Sequence, residues 1–183
     1  MSIREEADRL LYDFRLLRIL KRHGNAHVIG GYRMDMMTHN DLDIYVQHEY
    51  PSLDILFAIS NDMNIALKPY RFDGSYNVER KIFLCGCETD ITGQRWNIDV
   101  SLMKKADISK TEEYCDYIVR RVSADPSLGR AIREIKLELI KLRLYGIDKF
   151  PERHYHSKDI YDAVLNEGIL SFENFITKYP KII

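Results

Sequence analysis

At 183 residues, 45% of them hydrophobic and 30% charged, the chain is long enough for one compact α/β domain with a helical appendage and too apolar for a disordered one. A formal net charge of −1 supplies no global field for gripping nucleic acid or an anionic membrane, while leaving room for a local basic patch. No apolar run approaches the roughly 18–20 residues that span a bilayer. The opening MSIREEADRL reads as charged helix, not signal peptide, and the three cysteines form no CxxC pair, so the sequence predicts a cytoplasmic protein with reduced thiols.

Leu10, Leu11, Phe14, Leu17 and Leu20 recur between charges at helical spacing, which predicts one amphipathic helix over residues 4–22, ended by His23-Gly24-Asn25. Residues 26–29 predict a short strand running into Gly30-Gly31, residues 32–37 a turn or short helix, and residues 41–46 a second, cleanly alternating strand. After Pro51 a helix is expected over 52–64. The stretch 67–103 alternates between breaks at Asp73-Gly74, Asn77 and Thr92-Gly93, which predicts three hairpin-linked strands. From Thr111 the period turns helical, over 111–123, 127–145, 157–166 and 171–178, punctuated by Pro126, Gly146, Pro151 and Gly168. No repeat or low-complexity segment interrupts this order. The expected architecture is α+β: an α/β domain over 1–108 and a C-terminal helical region over 109–183, joined near residues 104–110.

Side chains alternate along a strand, so Leu42, Ile44 and Val46 share one face of the second strand and Asp41, Asp43 and Tyr45 the other. Around Trp96, Ile98, Val100 and Leu102 the pattern repeats, leaving Asn97, Asp99 and Ser101 opposite. If those two strands are neighbours, Asp41, Asp43 and Asp99 converge. Converging carboxylates repel unless a cation neutralises them, and magnesium, which takes hard oxygen ligands and bridges to phosphates, suits that place. A lone aspartate of this kind is merely solvent-facing; three in this pattern after a glycine turn are not. Gly30-Gly31, between a strand and a helical start, offers unhindered backbone N–H groups to phosphate oxygens. Cys85 and Cys87, alternate residues on one strand face, read as packing rather than half a metal site.

The run His27-Val28-Ile29-Gly30-Gly31-Tyr32-Arg33, followed by Met36-Met37-Thr38-His39-Asn40-Asp41-Leu42-Asp43-Ile44, resembles the signature of the DNA polymerase β-like nucleotidyltransferase superfamily. That signature is a hydrophobic strand, Gly-Gly or Gly-Ser, a spacer of about ten residues and Asp-x-Asp, with a third carboxylate later, where Asn97-Ile98-Asp99-Val100 stands here. The resemblance covers residues 26–103. It implies a mixed β-sheet flanked by helices and two magnesium ions held by Asp41, Asp43 and Asp99. It also makes Asp99 the general base toward an acceptor hydroxyl, and the Gly30-Gly31 turn the holder of the β- and γ-phosphates. Many members carry Ser at the position of Gly31; here backbone N–H groups and Arg33 would take over its contact.

In the helical region, a wheel with Ile132 at zero puts Leu128, Ile135, Leu139 and Leu142 between about 280° and 340°, with Lys136 near 40° and Arg143 near 20°. Cations in an apolar arc need an anionic partner, and two readings stand: snorkelling or a structural salt bridge, or a reach toward the triphosphate or Asp159. Residues 130–158 hold eight Lys/Arg against four Asp/Glu, a local positive excess. The stretch His154-Tyr155-His156-Ser157-Lys158-Asp159-Ile160-Tyr161-Asp162 resembles the Lys-Asp-x-Tyr-Asp of the AbiEii-type branch, in which an upstream helix lysine and an aspartate belong to the active site. Without that resemblance, Ser157 caps a helix and Asp159 is a first-turn residue. His154 and His156 lack a third ligand nearby and are not read as a metal pair.

The sequence thus predicts a magnesium-dependent nucleotidyltransferase, which by resemblance stands near the AbiEii-type or antibiotic nucleotidyltransferase branches. It would move a nucleoside monophosphate from an NTP to an acceptor hydroxyl or phosphate and release pyrophosphate. The acceptor is left open between a small molecule, tRNA and a protein; the net charge does not require nucleic acid, and no membrane partner is expected. The competing reading is a non-catalytic nucleotide- or partner-binding module of a toxin–antitoxin-like system, against which the three carboxylates stand.

Overall fold

Ser2 opens the chain with a capping box: its Oγ accepts from the Glu5 N–H at 3.2 Å while the Glu5 carboxylate accepts from the Ser2 N–H at 2.7 Å. The computed structural model describes residues 1–77, 82–146 and 154–181. Helix α1 (Ile3–Asp8) passes into a π-helical turn (Arg9–Asp13), and α2 (Leu16–Leu20) follows after Arg15 takes a left-handed φ of 60°. The single helix expected over 4–22 is therefore broken. On an uninterrupted helix Leu11 and Leu16 would stand about 140° apart; the wide turn and the reversal at Arg15 re-phase the chain so that Leu10, Leu11, Leu16 and Leu20 are all buried.

Strand β1 (Ala26–Val28) leads through the short α3 (Gly30–Arg33) to β2 (Asp41–Gln47), then α4 (Leu53–Leu67), β3 (Arg71–Asn77), β4 (Ile82–Thr89) and β5 (Trp96–Met103). The five strands form one sheet in the order β1-β2-β5-β4-β3; β2 and β5 run parallel and the other pairs antiparallel, a mixed sheet as expected. Ser52 caps α4, whose Leu56, Ile59, Met63 and Leu67 bury one stripe. That stripe, with the leucines of α1–α2, packs on Leu42, Ile44, Val46, Trp96, Ile98 and Val100 to form the core. Cys85 and Cys87 sit on this core face, opposite Val100 and Ile98, where burial pushes both thiols up to about 12; they are packing residues. Edge strand β3 is exposed along its whole length.

Helix α5 (Lys105–Ala124) begins six residues before the predicted start because Ile108, buried ahead of Cys115 and Ile118, extends the apolar stripe upstream through the segment expected as a join. The chain divides into two compact units, Met1–Cys115 and Asp116–Ile183, within this helix. In the second unit α6 (Pro126–Lys141) starts from an Asp125 cap, and α7 (Ser157–Glu167) and α8 (Phe172–Lys178) follow. Phe175 of α8 packs on Tyr155 and Tyr179, ring centroids 5.0 and 5.5 Å apart. Residues 147–153, which include Pro151 and part of the positively charged stretch, lie outside the described residues. No helix among the described residues is long and apolar enough to cross a membrane.

Candidate active site

The parallel register sets Asp43 directly beside Asp99 and Asp41 beside Asn97. Paired residues on adjacent strands face the same way, so the three carboxylates share the sheet face opposite the core. Asp41 Oδ1 accepts a 2.7 Å hydrogen bond from Asn97 Nδ2, and its Oδ2 lies 3.7 Å from His39 Nε2. Burial, reinforced by the Asp41 charge, pushes the Asp99 carboxyl up to about 6 against the opposing pull of a hydrogen bond with Asn97.

Two glycines make room for these side chains. At Gly30, where φ is +62°, a Cβ would lie 2.3 Å from Asp43 Oδ2; at Gly86, the β4 partner of Asp99, it would lie 2.7 Å from Asp99 Oδ1. Gly31 has no such constraint: its nearest neighbour, Met37 Cα, would be 3.5 Å away, ordinary contact that a serine side chain could meet. The Ile29 N–H donates to the Asp43 carbonyl at 3.0 Å and stitches the turn to the middle of β2. Arg33 leaves α3 toward Glu112 of α5, whose Oε1 accepts from the Arg33 guanidinium at 3.2 Å and meets His27 Nδ1 at 3.0 Å.

The candidates of the helical unit have different surroundings. Lys136 is buried on α6; its Nζ donates to the Tyr161 hydroxyl at 2.8 Å and stands 4.6 Å from the Tyr161 ring centroid and 5.8 Å from that of Tyr145. Arg143 does not share its arc. The helix ends at Lys141, Arg143 turns left-handed at φ 57°, and it and Leu142 are exposed, so the wheel does not extend through them. Asp159 accepts from the His156 N–H at 2.8 Å, which makes His156, not Ser157, the capping residue of α7. Lys158 pairs with Asp162 one turn on.

Among the described residues no group of three or more His, Cys, Asp and Glu side chains closes into a cage for a metal ion. A magnesium site does not need one, because that ion keeps several waters and binds through one or two carboxylates plus substrate phosphates. The donor set fits it: hard oxygens on one sheet face, and an Asp99 carboxyl raised by burial and by the Asp41 charge.

No protein-family model and no curated protein matches the chain. Solved structures do. Cid1 poly(U) polymerase bound to MgATP aligns with a TM-score of 0.65 at 16% identity over 91% of this chain and 50% of that one. The GLD-2 non-canonical poly(A) polymerase, in complex with GLD-3, aligns at 0.65 and 13% identity over 98% and 59%. Terminal uridylyl transferase 4 from Trypanosoma brucei aligns at 0.60 and 9% over 87% and 51%. The chain has the fold of these poly(U) and poly(A) polymerases and terminal uridylyl transferases. The chain spans about half the length of these structures, and none of the three lends support to the AbiEii-type likeness of residues 154–162.

Gly86, Asn97, His39 and Glu112 had no assigned role in the sequence. A glycine between two buried cysteines in a strand was the one available signal, since such a glycine marks close approach by another group. The others follow from strand register and from a helix 79 residues downstream of Arg33 in the sequence, which no local pattern encodes.

Proposed function

We propose that the chain is a nucleotidyltransferase that moves a nucleoside monophosphate from an NTP to an acceptor hydroxyl and releases pyrophosphate. The observation that carries this is the pairing of Asp43 with Asp99 across the parallel strands, two residues from Asp41, on the face of β2 and β5 opposite the core.

In this reading Asp41, Asp43 and Asp99 hold magnesium. When bound, two such ions supply charge neutralisation for the attacking and leaving oxygens of an in-line displacement. Asn97 fixes the Asp41 carboxylate by its hydrogen bond. Asp99 takes the acceptor hydroxyl proton as the oxygen bonds the α-phosphorus and the bond to pyrophosphate breaks. Gly30 and Gly31 offer N–H groups to the phosphates, with Arg33 steered by Glu112. Of Lys136, Arg143 and Asp159, Arg143 is exposed to solvent, Lys136 donates to the Tyr161 hydroxyl, and Asp159 accepts from the His156 N–H. The names of the structures cited, transferases and polymerases, weigh against the non-catalytic reading.

Incubation with each labelled NTP and magnesium, with and without cell extract, should release pyrophosphate and label an acceptor. No pyrophosphate with any of the four would overturn the reading.

A further inference from the structure

The break between α1 and α2 creates a hollow of about 490 Å³ on the helices that cover the core face of the sheet. It is lined by Leu11, Tyr12, Arg15, Leu17, Arg18 and Lys21: three cations, one aromatic ring and no carboxylate. Arg15 stands at the left-handed reversal before α2, Arg18 within α2 and Lys21 at its C-terminal end, so the three cations gather around one hollow. All three are exposed and none makes an ion pair among the described residues, whereas Arg9 pairs with Asp13 and Arg22 with Asp62 just outside the hollow. Tyr12 is 57% exposed at the rim, and the floor is the buried Leu11 and half-buried Leu17.

We infer that this hollow binds single-stranded nucleic acid, its backbone phosphates on Arg15, Arg18 and Lys21 and a base against Tyr12. Three exposed cations around one hollow match the phosphates of a nucleic-acid backbone, and an aromatic ring over an apolar floor matches a flat heterocycle. A membrane would need apolar side chains that project; Leu11 and Leu17 are recessed. An acidic protein would answer the cations but not the ring. The patch explains how a chain of net charge −1 can hold a polyanion away from its own carboxylates. Binding here stands apart from the transferase reading; only the role of the strand as acceptor rests on it.

The test is fluorescence anisotropy of a labelled mixed-sequence single-stranded RNA of about 15 nucleotides, in chelator and without NTP, over a salt series. The wild-type chain should bind. Arg18→Ala with Lys21→Ala should weaken binding at least about tenfold and reduce the salt slope by about 1.4, at roughly 0.7 per lost phosphate contact on a single strand. Tyr12→Ala should weaken binding by about tenfold without changing the slope. Asp43→Asn should bind like wild type, which separates this site from the carboxylates. Unchanged affinity and slope in the double variant would overturn the proposal. So would loss of binding in Asp43→Asn, or anionic vesicles or polyglutamate binding through the same residues when RNA does not.

Discussion

Asp99 in the sheet and Lys136 in the helical unit are both ionisable groups held largely out of water, and the protein treats them in opposite ways. Lys136 receives partners from its own unit, the Tyr161 hydroxyl and two aromatic faces. Asp99 receives burial and a second carboxylate that outweigh one hydrogen bond with Asn97, and its carboxyl rises to about 6. A buried charge that the fold has already answered is part of the structure; one that the fold leaves in repulsion is waiting for something from outside.

The sharpest way to break this comparison is Asp43→Asn. Turnover should fall by at least about three orders of magnitude, roughly 4 kcal/mol, while the unfolding midpoint holds or rises as repulsion is relieved. Retained turnover, or a large loss of stability, would reassign the site. Next in size is the pH dependence of the metal-free fold. Because the folded carboxyl of Asp99 lies at about 6 and its ordinary value is 3.8, the protonated form is favoured by folding. The stability it contributes is full below pH about 4 and lost as pH rises through 6, a change of about 3 kcal/mol. Denaturant unfolding in chelator from pH 4 to 8 should show this decline, and Asp99→Asn should flatten it.

Gly86→Ala should lower turnover by about tenfold, near 1.4 kcal/mol, by pushing the Asp99 carboxylate from its place; single-turnover kinetics beside a thermal melt would separate this from unfolding. The smallest effect belongs to Lys136→Met, which removes the buried hydrogen bond from Nζ to the Tyr161 hydroxyl and should cost about 1 kcal/mol of stability. Nucleotide affinity by titration calorimetry should hold. Weakened affinity at unchanged stability would instead make Lys136 a phosphate contact and erase the contrast with Asp99.

Much of the sheet was legible in advance because its alternation is strict: Leu42, Ile44 and Val46 had to face away from Asp41 and Asp43 whatever the partner strand. The register that sets Asp43 against Asp99 was not, since period-two patterns are satisfied by any even shift. Helical periodicity misled where the helix stopped being regular. The wheel carried Arg143 into an apolar arc beyond the true end at Lys141, and joined Leu11 to Leu16 across a break that only the packing of both leucines requires. Lys136 was correctly placed among apolar residues, but the wheel could not show its contacts with Tyr161, on another helix, and with Tyr145, beyond the true end of α6.

The parallel pairing of β2 with β5 also fixes when, during folding, the carboxylates can meet. Asp41 and Asn97 are 56 residues apart in the sequence, and α4 with the β3–β4 hairpin must fold in between. Closing so long a loop delays the pairing relative to local helices and hairpins. On a ribosome, Gly30, Asp41 and Asp43 emerge well before Asp99, so two of the acidic groups are made before the third exists to pair with them. The assembled carboxylate face is a late event in the life of each molecule, and its appearance reports that the sheet has closed.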